Sequence, residues 1–460
     1  MRKMLFCALL AGSLPVARAQ GPALTTFPVG TTTVTVSALT PNLATLWELV
    51  WGPDDFIWAT ERAGRISRVN PATGEVLPLL TIADVTQNNE SGLLGMALHP
   101  DFATQPYVYV VYNYTDQGVL KEKLVRFTYA AGTLGGGLVL LGGIVATTNP
   151  SGSRLLILPD HTILMTTGDA LQSSEAQNRA SLNGKILRLN LDGTIPADNP
   201  TPGSYVYTLG HRNPQGIVQL ADGHIYASEH GLNNDDEINK IEVGRNYGWP
   251  NVEGLCNLPA EMTFCTANNV REPLMTWTPT IAPAGLKYYD HPAIPGWRGS
   301  LLLVALGGKR LVQMSLNAAG SAIIAHNEFL NTFGRLRSIC VSPQGQVYVG
   351  TSNRDGRGAP AETDDRILVL ENRAYMPSAT RNAAAISFEL FPNPARQQAT
   401  LRLPAPGAHV TVCDLLGRRL REQAVSGTTA TLDLTGLPAG RYLVAVATAV
   451  GTATRPLSVE

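Results

Sequence analysis

A β-rich unit that recurs six times is the strongest constraint on the fold of this chain. Each copy contains an apolar strand, a tight turn rich in Pro, Asp or Gly, a second strand and a third strand. The first strands of the six copies are residues 48–51, 95–98, 155–158, 216–220, 285–289 and 338–342. Units repeated in this way are typical of radial or solenoid architectures, in which each unit packs against its neighbours.

The short turns within the units predict antiparallel hairpins. Six such sheets arranged in a ring form a six-bladed β-propeller, which leaves no long sheet edge exposed. The fourth strand of each blade is then expected from the segments that link one unit to the next. A pair of β-sandwiches is the alternative, but it does not explain six turns at matching positions in six units.

Long loops follow the second strand of three units, at residues 168–184, 230–236 and 352–365. Loops that leave the same strand of each blade gather on one face of a ring. We therefore expect a ligand site on that face, at the mouth of the central channel.

The stretch 183–250 carries the densest set of ligand-binding groups. Arg212 and Asn213 stand in one turn, and carboxylates and free carbonyl groups follow at residues 229–237. A guanidinium can bind a carboxylate or quinone oxygen with two parallel hydrogen bonds. Carbonyl and carboxylate oxygens are typical ligands of calcium. The alternative is that Gly, Asn and Asp in this stretch only form turns.

Charge and the N-terminal segment indicate an exported protein. The formal net charge is −1 and only 15% of the residues are charged, which excludes the electrostatic pattern of a nucleic acid-binding protein. In residues 1–20, Arg2 and Lys3 precede an apolar segment that ends in small residues near Ala19, the order of a secretory signal peptide. No later apolar run is long enough to span a bilayer.

Four of the 5 cysteines remain after the predicted cleavage. Cys256 and Cys265 bracket a short polar loop, and export to an oxidising compartment favours a disulfide between them. Two buried free thiols are the alternative. Cys340 lies in an apolar strand and is expected in the core, and Cys413 belongs to a different domain.

A separate C-terminal domain is predicted because the composition changes after residue 372. Residues 21–372 then form the propeller, and residues 373–385, rich in Ala and Asn, form a linker. Residues 386–460 have the size of a small domain. Their alternating apolar and polar residues, at 399–403, 409–414, 429–434 and 442–447, predict a small β-sandwich with one solvated face.

Several motifs of the predicted propeller occur together and in a fixed order. They are GLLGMALHPDF at 92–102, GKILR at 184–188, GHRNPQG at 210–216, SEHG at 228–231, NYGWPN at 246–251, WTPTIAP at 277–283 and the Arg335–Leu336–Arg337 triplet. This ordered set resembles the soluble quinoprotein glucose and aldose sugar dehydrogenases. The resemblance implies a secreted oxidoreductase that uses pyrroloquinoline quinone (PQQ) and calcium to oxidise a sugar, and passes electrons to an external acceptor.

The resemblance also assigns roles to individual residues. Those that match cofactor-binding positions are Glu90, Arg212, Asn213, Lys309, Arg335 and Arg337, with Arg310 as the alternative to Lys309. Arg212 would polarise the reactive carbonyl oxygens, and Arg335 and Arg337 would bind cofactor carboxylates. The main-chain carbonyls of Gly231 and Leu232 would bind calcium. Trp277 would form a wall of the sugar site, with a core tryptophan as the alternative.

One position departs from the family pattern. In the family, a histidine before the third blade takes the hydroxyl proton of the sugar while hydride passes to the quinone. Aligned on Arg154 and Leu155, this position is occupied by Pro150, next to Asn149. Neither side chain can act as a general base at neutral pH, and loss of such a base typically slows a reaction about 10²–10⁴-fold.

The C-terminal domain resembles a second family. FPNP at 391–394, DLLGR at 414–418 and LPAGRY at 437–442 are similar to motifs of type IX secretion sorting domains. The resemblance implies transport to the cell surface or the medium by the type IX machinery. An ordinary binding sandwich is the alternative interpretation.

Three functions are therefore considered. The first is PQQ-dependent oxidation of an aldose or a related hydroxyl substrate. The second is binding of quinone or saccharide without turnover, which Pro150 favours. The third, a calcium-dependent lactonase, rests on fold analogy alone and needs a cluster of carboxylates on the channel. His211 and His230 are expected to be scaffold residues, although His211 or Asp169 could replace the missing base.

Overall fold

The computed structural model describes residues 21–149, 152–376, 387–403, 406–414, 419–448 and 451–460. The chain divides into two compact units, Met1–Tyr375 and Met376–Glu460. The predicted signal peptide at 1–20 and most of the predicted linker lie outside the described residues. Within the described ranges, no helix is long and apolar enough to cross a membrane.

Antiparallel sheets make up the described part of the first unit. The chain begins with β1 (Ala23–Val29) and β2 (Thr32–Thr40), which belong to the last sheet of this unit. Sheet 1 contains β3 (Leu46–Trp51), β4 (Ile57–Glu61), β5 (Arg65–Val69) and β6 (Val76–Thr81). Sheet 2 contains β7 (Leu93–Leu98), β8 (Tyr107–Asp116), β9 (Val119–Ala130) and β10 (Thr133–Val145). Sheet 3 contains β11 (Gly152–Ile157), β12 (Thr162–Thr167), β13 (Lys185–Asn190) and β14 (Val206–Leu209).

The remaining sheets of this unit follow the same plan. Sheet 4 contains β15 (Pro214–Gln219), β16 (Ile225–Glu229), β17 (Asp236–Ile241) and β18 (Met275–Trp277). Sheet 5 contains β19 (Pro283–Tyr289), β20 (Ser300–Ala305), β21 (Arg310–Leu316) and β22 (Ile323–Phe329). Sheet 6 contains β23 (Leu336–Val341), β24 (Val347–Thr351) and β25 (Ile367–Glu371), together with β1 and β2. The prediction of a nearly all-β chain with propeller-like sheets is confirmed.

Neighbouring sheets contact one another through their first strands. Strand β3 contacts β7, and the same contact repeats from β7 to β11, β15, β19 and β23. Strand β23 in turn contacts β3, so the series of sheets closes on itself. The second strands β4, β12, β16 and β24 are buried along their whole length, because each sheet packs between two others.

Sheet 6 differs from the sequence prediction. Its outer strands come from the start of the chain and not from a linking segment, because β2 pairs with β25, with Val36 opposite Leu370. Val34 and Val36 are fully buried in the core that sheets 5 and 6 share, which holds β2 in place. The two ends of the first unit are therefore joined in one sheet.

The segment between Cys256 and Cys265 is a helix and not the polar loop that was predicted. Helix α1 (Pro259–Asn268) begins with a proline at its first position, where the missing N–H costs nothing. Glu261 Oε2 accepts the N–H of Leu258 at 3.0 Å, and Asn269 ends the helix with a φ of 54°. The sulfur atoms of Cys256 and Cys265 are bonded to each other, which staples the helix to the preceding loop.

The second unit contains two antiparallel sheets around one core. The first has β26 (Glu389–Phe391), β27 (Gln398–Arg402) and β30 (Thr429–Asp433). The second has β28 (Ala408–Cys413), β29 (Arg419–Val425), β31 (Gly440–Thr448) and β32 (Gly451–Val459). Leu401 of the first sheet and Val444 of the second are fully buried in the same core. Strands β26, β29 and β32 were not predicted.

A buried lysine holds the loop between β12 and β13. Lys185 Nζ donates to the carbonyl oxygens of Glu175 (2.6 Å), Ala176 (3.0 Å) and Asn183 (2.7 Å). Burial lowers the pKa of Lys185 to about 7, and the three carbonyl acceptors favour the charged ammonium. This contact fixes the loop that carries Asp169 and Leu171 to the functional site described below.

We expect Lys185→Met to lower the free energy of unfolding by about 2–4 kcal/mol, because three buried carbonyl groups lose their donor. Chemical denaturation measures the change. Lys309→Met is the matched control, since Lys309 is exposed and should change stability by less than about 0.5 kcal/mol. Equal effects of the two substitutions would contradict this role of Lys185.

Candidate functional site

A cavity of about 270 Å³ opens where the loops of the first unit converge. Its lining residues are Glu90, Asn149, Asp169, Leu171, Arg212, Asn213, His230, Gly231, Leu232, Asp236, Thr280, Ala282, Leu306, Arg335 and Arg357. They come from loops that enter the first strands and from loops that leave the second strands. The three loops that were predicted to share one face therefore meet at one site. They are residues 168–184, 230–236 and 352–365.

Glu90 is the centre of a buried charge cluster in the cavity wall. Its Oε2 accepts hydrogen bonds from Arg337 Nη2 at 2.7 Å and from Arg62 Nη1 at 3.2 Å. Its Oε1 lies 3.9 Å from Arg335 Nη2 and 3.7 Å from Arg357 Nε. Burial alone would raise the pKa of Glu90, but the charges of Arg337, Arg62 and Arg357 outweigh burial and hold this pKa at about 2.

A second carboxylate, Asp355, completes this cluster. Arg335 Nε donates to Asp355 Oδ2 at 2.7 Å, and Arg337 Nη2 lies 3.5 Å from the same oxygen. The cluster of Arg62, Glu90, Arg335, Arg337, Asp355 and Arg357, which we call the arginine cluster, contains four guanidinium groups and two carboxylates. Four guanidinium groups against two carboxylates leave this side of the cavity with surplus positive charge.

Arg212 lies on another part of the cavity wall. Its backbone N–H donates to Glu229 Oε1, and its Nη1 donates to the carbonyl oxygens of Gly231 at 2.6 Å and His230 at 3.3 Å. Its guanidinium carbon is 5.6 Å from the centre of the Trp249 ring. The guanidinium is thus held over an aromatic face and against two main-chain carbonyls.

Asn213 directly precedes β15 and is fixed by residues of β15 and of the start of β11. Its Oδ1 accepts hydrogen bonds from the Gly152 N–H at 3.0 Å and from Gln215 Nε2 at 2.9 Å. Gln215 Nε2 also lies 3.2 Å from the Gly152 carbonyl oxygen. The amide of Asn213 therefore has one defined orientation at the cavity.

The two histidines differ in their placement. His211 is fully buried, with Nδ1 2.8 Å from Glu229 Oε2 and Nε2 2.8 Å from Thr208 Oγ1, so it serves as scaffold. His230 lines the cavity and its Nε2 donates to the Pro283 carbonyl oxygen at 2.7 Å. Burial and the charge of Arg212 lower the pKa of His230 to about 4, which keeps its imidazole neutral.

Some predicted site residues lie away from the cavity lining. Lys309 is exposed in the turn between β20 and β21, and the alternative, Arg310, donates to Glu328 Oε2 at 2.6 Å. Trp277 packs against the core between sheets 4 and 5, which agrees with the alternative core interpretation. Arg337 is fully buried and does not line the cavity, but its Nη2 donates a hydrogen bond to Glu90, which does. Pro150 lies outside the described residues, while its neighbour Asn149 lines the cavity.

Several residues of the site were missed by sequence reasoning. Arg62, Asp355 and Arg357 belong to the arginine cluster, and Arg357 Nη2 also lies 3.3 Å from Asn149 Oδ1. The turn Asn-Arg-Asp-Gly-Arg at 353–357, inside a loop already predicted to face the channel, was the available signal. Within the described ranges, no three His, Cys, Asp or Glu side chains are grouped so as to hold a metal ion, which the lactonase hypothesis requires.

The closed series of sheets and the cavity lined by arginines define a nearly all-β protein with propeller-like sheets and one cationic cavity at their loops. Comparison with known proteins gives the family. Residues 43–367 match the family Glucose / Sorbosone dehydrogenase, so the chain belongs to this family. Residues 389–460 match the family Secretion system C-terminal sorting domain.

Individual relatives agree with this assignment. Quinoprotein glucose dehydrogenase B of Acinetobacter calcoaceticus is 41% identical and covers 74% of this chain and 90% of its own length. Aldose sugar dehydrogenase YliI of Escherichia coli is 28% identical over 70% of this chain and 91% of its own length. The structure of the PQQ-bound form of aldose sugar dehydrogenase from Streptomyces coelicolor superimposes with a TM-score of 0.65, at 33% identity, over 75% of this chain and 99% of that chain.

A buried carboxyl group supports the floor of the site. Glu122 on β9 is fully buried, and its Oε2 accepts a hydrogen bond from Ser153 Oγ at 2.5 Å. Ser153 follows Gly152, which donates to Asn213. Burial raises the pKa of Glu122 to about 8, so the group is protonated in the folded protein at neutral pH.

This raised pKa predicts a pH-dependent loss of stability. The contribution of Glu122 is fully present below its ordinary pKa of 4.5 and is lost as the pH rises through about 8. As the pH rises from 4.5 past 8, the free energy of unfolding of the wild type should fall relative to that of Glu122→Gln by roughly 3–5 kcal/mol. Denaturation at several pH values measures the difference. Glu75→Gln, an exposed control, should show no such trend, and a flat difference for Glu122→Gln would contradict the prediction.

Proposed function

We propose that this protein is an exported PQQ-dependent dehydrogenase that oxidises an aldose or a related hydroxyl substrate. The arginine cluster beside Arg212 is the observation that carries this proposal. The quinone is a planar tricarboxylate, and guanidinium groups bind carboxylates with paired, charge-assisted hydrogen bonds. We further propose that the six sheets of the first unit are the blades of a six-bladed β-propeller, and that the two sheets of the second unit form a β-sandwich.

The residues of the cavity fit the quinone chemically. Arg335 lines the cavity with surplus positive charge behind it, and Arg337 supports it from the buried side. Arg212 and Asn213 would meet the carbonyl oxygens of the ring, and Glu90 would keep the arginines apart and aligned. When bound, the quinone supplies the acceptor for the hydride of the substrate. Lys309 and Trp277 are not retained in the proposed site, because neither lines the cavity.

The hydroxyl proton needs an acceptor among the groups of the cavity wall. Glu90 is committed to arginines, and Asp236 accepts three backbone N–H groups, from Gly231, Ile281 and Ala282. Asp169 accepts one bond on each oxygen, from the Leu171 N–H and from Trp249 Nε1, both at 2.9 Å. Each carboxylate oxygen can accept a second bond, so Asp169 keeps capacity for the proton on both oxygens, and Asp236 keeps it on Oδ1 only. His230 is a poor acceptor, because its pKa of about 4 disfavours protonation.

Turnover tests the proposal directly. We expect the protein loaded with PQQ and calcium to reduce a redox dye slowly in the presence of aldoses, and Pro150→His to raise kcat by about 10²–10⁴-fold. Asp169→Asn should lower the wild-type rate further. The alternative function, quinone or carbohydrate binding without turnover, is favoured by Pro150. Quinone binding without dye reduction in both the wild type and Pro150→His would select that alternative.

Quinone binding by the arginine cluster can be measured separately from turnover. We expect Arg335→Gln to weaken PQQ binding by about 10–100-fold, because a charge-assisted pair of hydrogen bonds is lost. Equilibrium titration by fluorescence measures the dissociation constant. Arg310→Gln removes an arginine of the same face that pairs with Glu328, and it should leave the constant within about twofold. A loss of the same size in both variants would contradict the proposed site.

Calcium is proposed at the main-chain carbonyls of Gly231 and Leu232. The Gly231 oxygen already accepts a hydrogen bond from Arg212 Nη1 at 2.6 Å, so a cation and the guanidinium compete for one oxygen. We expect Arg212→Gln to raise calcium affinity by roughly tenfold and to weaken quinone binding, both measured by calorimetry. Arg357→Gln removes a charge of the same cavity without touching Gly231. Calcium affinity that rises equally in both variants, or in neither, would contradict this competition.

The C-terminal domain supports export. We propose that the type IX machinery recognises residues 386–460 after a signal peptide at 1–20 has directed the chain across the inner membrane. The mature protein would then act at the cell surface or in the medium, where an external acceptor receives the electrons.

A further inference from the structure

Two exposed leucines line the cavity beside the arginine cluster and Arg212. Leu171 is 61% exposed and comes from the loop between β12 and β13, and Leu232 is 50% exposed and comes from the loop between β16 and β17. A single exposed leucine on a protein surface is ordinary and needs no explanation. These two belong to different sheets and line the same small cavity.

The backbone at Leu171 is in an unfavourable conformation. Its φ is 59°, and that of Ala170 is 51°, in the left-handed region that favours glycine. The Asp169 carboxylate accepts the Leu171 N–H at 2.9 Å and stabilises this turn. The fold therefore keeps a large apolar side chain at a position where glycine would be more stable, and it keeps that side chain half in solvent. Such strain at a ligand cavity points to a function for the side chain.

The lining of the cavity separates by chemistry. Arginines and carboxylates contribute one set of groups, and Leu171, Leu232, Ala282 and Leu306 contribute apolar surface. A volume of about 270 Å³ suits a small molecule and not a folded partner. Since the proposed function assigns the arginines to the quinone, the apolar surface is left for the substrate, which needs an apolar part to cover it.

We propose that Leu171 and Leu232 select a hydroxyl substrate that carries an apolar substituent, such as an alkyl- or acyl-substituted sugar, over the unsubstituted sugar. The inference rests on the proposed function for the presence of a sugar site. It adds that the apolar group of the substrate covers the two leucines while the reacting hydroxyl of the sugar lies toward Asp169. Burial of methylene groups against the leucines provides the selectivity.

Equilibrium binding tests this selectivity without any turnover. The full chain, loaded with PQQ and calcium, is titrated with 6-O-hexyl-D-glucose and with 6-O-methyl-D-glucose, which keep the anomeric hydroxyl and differ only in the alkyl chain. The electron acceptor is left out, so that no turnover cycle occurs. We expect the hexyl ether to bind roughly tenfold more tightly, the gain for burying about two methylene groups. Equal affinity of the two ethers, or binding of neither, would overturn the proposal.

Variants then assign the selectivity to the leucines. We expect Leu171→Gly and Leu232→Ala each to reduce the ratio of the two affinities to about threefold or less. Leu171→Gly should keep or raise the Tm, because glycine relieves the positive φ, so a loss of selectivity cannot come from unfolding. Leu258→Ala is the control, since Leu258 is 58% exposed but lies outside the cavity.

The outcomes separate this inference from the proposed function. The assignment to the leucines would be overturned if the affinity ratio of the two ligands stayed near ten in Leu171→Gly and Leu232→Ala. It would also be overturned if Leu258→Ala lowered that ratio as much as the two cavity variants do. An affinity ratio near ten in the wild type that is lost only in the two cavity variants supports the assignment. Dye reduction plays no part in these measurements, so a protein that binds selectively but never turns over would contradict only the proposed oxidation.

Discussion

The pairing of Glu90 with four arginines is the interaction on which the site depends. Burial of so many charges is costly, and it is tolerated only where partners and hydrogen bonds are well placed. The members of the arginine cluster come from the loops of sheets 1, 2 and 6, and Arg337 and Glu90 are 247 residues apart in sequence. The contact of β23 with β3, which closes the series of sheets, is therefore a condition for the site and not only for stability.

The same cluster connects structure to chemistry. Two carboxylates do not balance four guanidinium groups, so the arginine cluster keeps surplus positive charge. Arg212, on another part of the wall, is held by main-chain carbonyls. In the function that we propose, the cluster binds the quinone, those carbonyls bind calcium, and the exposed leucines contact the part of the substrate that needs no polar partner.

Sequence reasoning predicted what local patterns determine. Strands such as β3 and β7 were found because apolar runs and turn residues mark them. Arg212 and Arg335 were found because they stand in recognisable motifs. Pairing of β2 with β25 was missed, since contacts across the whole unit leave no local signal. Helix α1 was missed because its start depends on Pro259 and Glu261 in a segment without an apolar face. Arg62 was missed because it belongs to the site only through its contact with Glu90, 28 residues away, whereas the polar turn that carries Asp355 and Arg357 was visible but had no recognisable partner in its own segment.

The structure of the protein crystallised with PQQ and calcium tests the central claim most directly. The account predicts cofactor carboxylate oxygens within about 3.2 Å of the Arg335 guanidinium, with the ring beside Arg212 and Asn213 in the same cavity. A quinone bound elsewhere, or a cavity in which Arg335 still pairs only with Asp355 and Glu90 at saturating PQQ, would contradict it.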